Sequence, residues 1–503
     1  MGRGRSNIQL GRGVLEPQAT AIPQELEEMQ GIVHCFDGVG GLLASRKILH
    51  NRIILGTGSD RRHSGGMNHT PSAAAPERTQ RRHFSGVSPD APATFSRRSA
   101  AAVLVCWLLV VFDGYDLIVY GTVQSSLITD TGWGLSKATA GTVGSMAFVG
   151  MMIGAIFAGR MSDSWGRRRT IILCATVFSA LTILCAFAPN AYAFGGLRLL
   201  AGIGLGGLVP SANALVAEMV PAKWRSTIAT LMMSGVPIGG SVAALAGIPL
   251  IPAFGWPVMF LVAAVALLVI VPLGMRFLPE TLPPAKPAEP VGFKSLLRTP
   301  HLGMSLLFAV ATLVTLFAWY GLGTWLPNLM QLAGYNLGSA LTFALALNLG
   351  AVVGSVATAW AGTRFGPVPT AIAAAAVAAV ALAVLVAGPP VMVVYVMLVL
   401  AGVGTHGTQC LIIAAVASHY PAHRRGTALG WALGVGRIGA VAAPQAGGLL
   451  LAAGLGVNSN FIAFAGAAGV AAILLGTIRA RINNARTKAH DSTITTSVGA
   501  SNV

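Results

Sequence analysis

Gly159-Arg160-Met161-Ser162-Asp163-Ser164-Trp165-Gly166-Arg167-Arg168-Arg169 is a short basic break between two apolar runs, 138–159 and 170–188. Runs of about 20 apolar residues separated by an ionic loop are what a chain produces when it re-crosses a hydrocarbon layer about 30 Å thick. The glycines permit a tight turn between closely packed helices, and Asp163 is placed to cap a helix start or pair with a nearby arginine.

Outward from this loop the pattern repeats. Apolar stretches alternate with short breaks at 100–121, 138–159, 170–188, 193–217, 226–250, 256–278, 302–326, 338–361, 368–388, 391–417, 426–452 and 459–479. The 503 residues are 54% hydrophobic and only 10% charged, with a mean hydropathy of +0.70, which excludes an ordinary soluble domain. The net charge of +17 would in a soluble chain suggest nucleic acid. Its distribution points elsewhere. Arg97-Arg98, the arginines of 160–169, Lys223/Arg225, Lys286/Lys294/Arg298, Arg364, Arg424/Arg425 and Arg479/Arg481/Arg486/Lys488 fall in alternate breaks, whereas the others hold little beyond Asp130 and Lys137. That alternation predicts twelve spans with both termini in the cytoplasm. Lipid cannot satisfy backbone polar groups, so every span is expected to be helical. Cys106, Cys174, Cys185 and Cys410 lie in apolar segments and read as small packing residues rather than a disulfide or metal set.

The expected organisation is a disordered tail at 1–98, a six-helix bundle at 99–278, a charged linker at 279–301, a second bundle at 302–480 and a disordered tail at 481–503. The mildly apolar stretch Ile32–Leu55 is too interrupted to be a signal peptide or a span, and Met67 is an alternative start. A 200-residue repeat supports the two bundles. Ala201-Gly202-Ile203-Gly204 returns as Ala401-Gly402-Val403-Gly404, Pro221-Ala222, Arg225 and Thr227 as Pro421-Ala422, Arg425 and Thr427, and Gly166 as Gly366. A parallel duplication of six helices is one of the known transporter arrangements.

Two elements carry candidate chemistry. Asp113 and Asp116 stand at i and i+3 about two-thirds of the way along the first span, on neighbouring positions of one helix face. Two like charges there cannot both ionise cheaply, so the pair reads as a proton-binding site. A solvated pair at the outer interface is the alternative. Gly202-Ile203-Gly204-Leu205-Gly206-Gly207 matches a dinucleotide fingerprint by letter, but no strand precedes it and it lies inside an apolar helix. It reads as close helix packing. His419 and His423, separated by Pro421, do not share a helix face and make a poor metal pair.

The loop 159–169 resembles the signature loop of the major facilitator superfamily. Its second-half echo, Gly362-Thr363-Arg364-Phe365-Gly366, has Thr363 in place of the aspartate. Arg198 with Pro210, and Gly235-Val236-Pro237-Ile238-Gly239-Gly240, are similar to the fourth- and fifth-helix motifs of the same superfamily. The motif Asp113-Gly114-Tyr115-Asp116 sharpens the likeness. Taken with Glu218–Ser226, Arg424-Arg425-Gly426-Thr427 and Gly430–Gly439, it resembles the aromatic acid:proton symporter family, over nearly all of 95–480. Gly321–Pro327 looks more like the benzoate-type members than the hydroxybenzoate type.

The resemblance implies an all-helical, twelve-span integral membrane fold and roles for Asp113, Asp116, Arg198, Glu218, Arg425 and Arg437. The expected proton-coupling residues are Asp113 and Asp116. The expected substrate-binding residues are Arg437, Arg198, His406, Trp325 and Tyr115. Gating is expected of Gly159, Asp163, Gly166, Arg167, Glu218, Arg225 and Arg425. Arg437 lies near the middle of its span, where a permanent guanidinium needs an anion. A substrate carboxylate or a salt bridge to Asp113 or Asp116 would each supply one. His406 could line the cavity, but a lone histidine is more often a packed or hydrogen-bonded residue. Trp325, with Phe317, Trp319 and Tyr320, reads equally as flanking an aromatic ring or as an interface anchor.

The functional expectation is a monomeric importer of an aromatic carboxylate with protons, embedded in lipid, with no cofactor, no metal and no nucleic acid. An efflux antiporter of the same fold and a transporter-like chemoreceptor are the alternatives. No nucleophile–base pair appears at membrane depth to suggest an enzyme.

Overall fold

The computed structural model describes residues 96–221, 224–280 and 302–500, and leaves out the side chains of 158–160, 163, 226, 422–423, 486 and 488 onward. The readings of Ile32–Leu55, Met67 and most of the linker, and the side-chain roles given to Gly159 and Asp163, therefore lie outside the described residues.

Among the described residues there are no strands and twelve helices long and apolar enough to span a membrane. They are α1 (Arg97–Thr129), α2 (Lys137–Trp165), α3 (Arg167–Cys185), α4 (Ala191–Met219), α5 (Arg225–Phe254), α6 (Pro257–Phe277), α7 (Leu302–Leu332), α8 (Leu337–Phe365), α9 (Pro367–Val386), α10 (Val391–His419), α11 (Ala422–Ala452) and α12 (Gly456–Ala500). Each covers one run of the hydropathy pattern. In α6 a wide π-turn at Ala266–Ile270 precedes Pro272, whose ring nitrogen offers no hydrogen to the ladder. One expectation fails at the carboxyl end. The backbone of α12 stays helical to Ala500, where a tail from 481 was expected, because no glycine or proline interrupts the chain between Gly476 and Gly499.

The helix starts repeat with the 200-residue period. The side chains of Ser136 and Asn336 cap α2 and α8 by accepting from the backbone N–H three residues on. Gly166 and Gly366 turn the chain into α3 and α9 at φ +94 and +90, a region closed to most side chains. The hydroxyls of Thr170 and Thr370 then donate back to the carbonyls of Gly166 and Gly366. Arg225 and Arg425 likewise donate from Nε to the carbonyls of Val220 and Tyr420, at 3.3 and 3.4 Å.

Packing follows the same twofold relation. In the first half α2 packs on α4 and α1 on α5; in the second α8 packs on α10 and α7 on α11. The letter match to a dinucleotide fingerprint proves to be this packing. A Cβ on Gly202 or Gly206 would overlap the backbone of Ala147 or Met151 on α2, and one on Gly204 would crowd Cys174 and Phe178 on α3. Between the halves, α2 meets α11, α5 meets α8 and α1 meets α7. Thr142 donates to Gln445 Oε1 and Ser145 to the Val441 carbonyl, both at 2.7 Å. Gly121 abuts Gly323, Gly247 abuts Leu341 and Gly448 abuts the Lys137 carbonyl. These contacts gather toward the face that carries the α1–α2 and α7–α8 connections, so the halves are sealed together there.

Candidate functional site

Five side chains from the two halves meet at mid-span. Asp113 is the seventeenth of the 33 residues of α1, and Arg437 the sixteenth of the 31 of α11. The expected two-thirds depth of Asp113 is corrected to the middle, because α1 runs on to Thr129. Asp113 is 1% exposed and its Oδ1 has no hydrogen-bond partner. Arg437 and Tyr320 lie within electrostatic range of it. The Tyr320 ring packs against Phe148 with centroids 4.7 Å apart and planes tilted by 57°, and Arg437 points Nη1 at the sulfur of Met151, 3.5 Å away.

A thioether is a weak acceptor for a guanidinium. No carboxylate among the described residues stands within ion-pair distance of Arg437, so the salt-bridge alternative is not what the structure shows. A half-buried permanent cation, a buried carboxyl and a phenol therefore share a region with aromatic walls, an arrangement suited to a small anion with a ring.

Asp116 is a different object. Its Oδ2 accepts from Arg198 Nη1 at 2.7 Å, its Oδ1 from the Thr182 hydroxyl at 2.6 Å, and its own carbonyl from Arg198 Nη2 at 2.9 Å. Both side chains are 2% exposed. The two aspartates have different partners, although Asp116 still lies within electrostatic range of Asp113. Three residues of helix leave them about 60° apart, so Asp113 turns toward the other half and Asp116 into its own.

Three expected substrate contacts have polar atoms bonded within the protein in this structure. Arg198 is held by Asp116. The Tyr115 hydroxyl donates to the Met259 carbonyl at 2.7 Å inside the first half. Trp325 is fully buried, with its indole N–H donating to the Pro444 carbonyl at 2.9 Å, and so ties α7 to α11. His406 is 3% exposed, its ring centroid 5.1 Å from that of Trp319. Sequence reasoning missed Phe148, Met151 and Thr182, since a lone hydroxyl, thioether or ring in an apolar span carries no signal of its own.

At the opposite face Arg167 donates from Nε to Glu218 Oε1 at 2.5 Å, joining the start of α3 to the end of α4. Arg168 reaches the Met275 carbonyl, and Arg169 stands 3.8 Å from Glu280. Gly166 lies against the Glu280 carboxyl. In the second half Thr363 only bonds back to the Trp360 carbonyl of its own helix. Among the described residues no cluster of His, Cys, Asp or Glu has metal-binding form.

Twelve spans in two like bundles around a polar mid-span cluster are the architecture of a membrane transporter of the two-bundle type. The chain matches the family model described as Major Facilitator Superfamily over residues 106–444 and 347–498. It is 57% identical over 395 residues to the gentisate transporter of Corynebacterium glutamicum, covering 76% of this chain and 88% of that protein. It is 33% identical over 400 residues to the benzoate transport protein of Acinetobacter baylyi, covering 72% and 85%. The crystal structure of a D-xylose-proton symporter superposes with a TM-score of 0.63 at 16% identity, over 75% of this chain and 97% of that one. The chain belongs to the major facilitator superfamily, in its family of aromatic acid transporters.

Proposed function

We propose that the protein imports an aromatic carboxylate together with protons across the inner membrane, by alternating access of its two halves. The carrying observation is Arg437, a mid-span guanidinium whose nearest acceptor is the sulfur of Met151. A substrate carboxylate would replace that weak partner with a bidentate, charge-assisted one. Tyr320 and Phe148 would flank the ring. Asp113, facing the same region with an oxygen left over, would carry the proton, and its charge would answer that of Arg437 once substrate has left. The names of the relatives, a gentisate and a benzoate transporter, support the substrate class.

The alternation of basic loops supports an orientation with both termini in the cytoplasm. In that orientation the face where the contacts between the halves gather is the outer one. Gating would then rest on breaking the Thr142–Gln445 and Ser145–Val441 contacts outside, while Arg167–Glu218 and the loops anchored by Arg225 and Arg425 hold each half rigid within. No cofactor is needed, and a monomer suffices.

The test is uptake of radiolabelled gentisate and benzoate into cells expressing the protein, with and without a protonophore. Accumulation that collapses with the proton gradient is the expected result. Export, or uptake indifferent to the gradient, would refute coupled import and favour the antiporter reading.

A further inference from the structure

His406 is the sixteenth of the 29 residues of α10, at the same depth as Asp113 and Arg437. It is 3% exposed, yet neither Nδ1 nor Nε2 has a hydrogen-bond partner. Buried side-chain nitrogens are nearly always satisfied, so a histidine with both left over is built for something else. The repeat sharpens the point. The equivalent position in the first half is Gly206, where the fold demands a small residue against Met151. The architecture therefore does not call for an imidazole there.

Its surroundings place it at the junction of the halves. The ring packs on Trp319, whose neighbour along α7 is Tyr320 of the central cluster. One edge faces the Met233 carbonyl of α5, in the other half, without reaching hydrogen-bond geometry. That carbonyl would ordinarily accept from the residue four positions on, which is Pro237 and has no N–H. A donor-and-acceptor ring and a carbonyl released by proline thus face each other, with the ring on Trp319, the residue before Tyr320.

We propose that His406 is a specificity-determining residue that reads a ring hydroxyl, so that the cargo is a hydroxylated benzoate rather than benzoate itself. A neutral imidazole offers one N–H donor and one lone-pair acceptor, and a phenolic hydroxyl is both acceptor and donor. Binding such a ring would satisfy the histidine, with the Met233 carbonyl as a second acceptor for a hydroxyl. An unsubstituted ring would leave these polar groups buried and unmet, which is how a site rejects an analogue lacking one hydroxyl. This inference rests on the transport reading above.

The experiment measures initial uptake rates of radiolabelled gentisate and benzoate in the wild type, His406→Phe and His406→Gln, normalised to protein in the membrane. Phenylalanine keeps the contact with Trp319 but removes both nitrogens. The expected result is a preference for gentisate in the wild type that falls about tenfold or more in His406→Phe, through loss of gentisate uptake with benzoate uptake retained. His406→Gln, which keeps a donor and an acceptor, should hold much of the preference. An unchanged ratio in His406→Phe, or a parallel fall for both acids, would overturn the proposal and leave a packing residue. Competition in the wild type gives a second readout if His406→Phe does not insert. There benzoate should inhibit gentisate uptake at least tenfold less well than unlabelled gentisate, and equal inhibition would also overturn it. A wild type that moves neither acid would instead sink the transport reading itself, and this claim with it.

Discussion

Arg198 and Asp116 form a closed ion pair within the first half, with Nη1 2.7 Å from Oδ2, the Thr182 hydroxyl on the second carboxylate oxygen and both side chains sealed from solvent. Both carboxylate oxygens and both terminal guanidinium nitrogens are engaged, and only Arg198 Nε is left without a partner. The pair binds α1 to α3 and α4, and makes the first half one rigid body for the movement that alternating access requires.

Breaking that pair from one side leaves an uncompensated buried charge, which costs about 3–5 kcal/mol. Asp116→Asn or Arg198→Leu should therefore lower the thermal stability of the detergent-solubilised protein and its yield in membranes. The double neutral variant Asp116→Asn with Arg198→Gln should recover most of that stability. A double variant as unstable as the singles would show that the charges were not each other's main support.

Asp113→Asn removes the carboxyl proposed to carry the proton but keeps the shape of the side chain. Accumulation driven by a pH gradient should be lost, while exchange of labelled for unlabelled substrate across vesicles at equal pH persists. Gradient-driven accumulation at the wild-type level would remove Asp113 from the coupling step.

Arg437→Lys keeps the charge and loses the planar fork. A tenfold or greater rise in the KM for gentisate is expected, roughly the value of one charge-assisted hydrogen bond. An unchanged KM, with Arg437→Met also active, would take the guanidinium out of the site.

Gly114 and Gly239 interlock α1 with α5. A Cβ on Gly114 would overlap the backbone of Val236, and one on Gly239 that of Val111. Because the obstructing atoms are backbone, Gly239→Ala should cost about 1–3 kcal/mol through forced separation of the helices. Gly466→Ala, where a Cβ meets nothing, should leave melting unchanged. The comparison of the two melting temperatures is the check.

The seal between the halves is also addressable. Thr142→Ala with Gln445→Ala deletes one of its side-chain hydrogen bonds without touching the central cluster. The protein should spend more time open at that face, read as faster labelling of a cysteine placed at Ser145 by a membrane-impermeant thiol reagent. Labelling no faster than with Thr142 and Gln445 intact would mean the seal rests on the glycine contacts alone.

Much of the architecture was legible because it is written in one dimension. Hydropathy alone marks the twelve runs, and the 200-residue echo of Gly166 in Gly366 and of Arg225 in Arg425 becomes the same turn and the same backbone contact in both halves. The site was legible only in part. Asp113 and Arg437 stand out because charges are rare at that depth. Tyr115 and Trp325 also stood out, as polar-tipped rings near a motif, yet each spends its donor on a backbone carbonyl. Met151 and Thr182 gave no signal at all.

What the chain decided by itself is therefore the number of crossings, their helical form and the doubling of the bundle, since lipid thickness and backbone hydrogen bonding act on each segment separately. Which way each polar side chain faces was decided only by tertiary packing. Asp113 and Asp116 are three residues apart and chemically identical, but a helix turns one toward Arg437 across the interface and the other onto Arg198 within its own half. The electrostatic role of a buried carboxyl is set by the neighbour that packing brings to it.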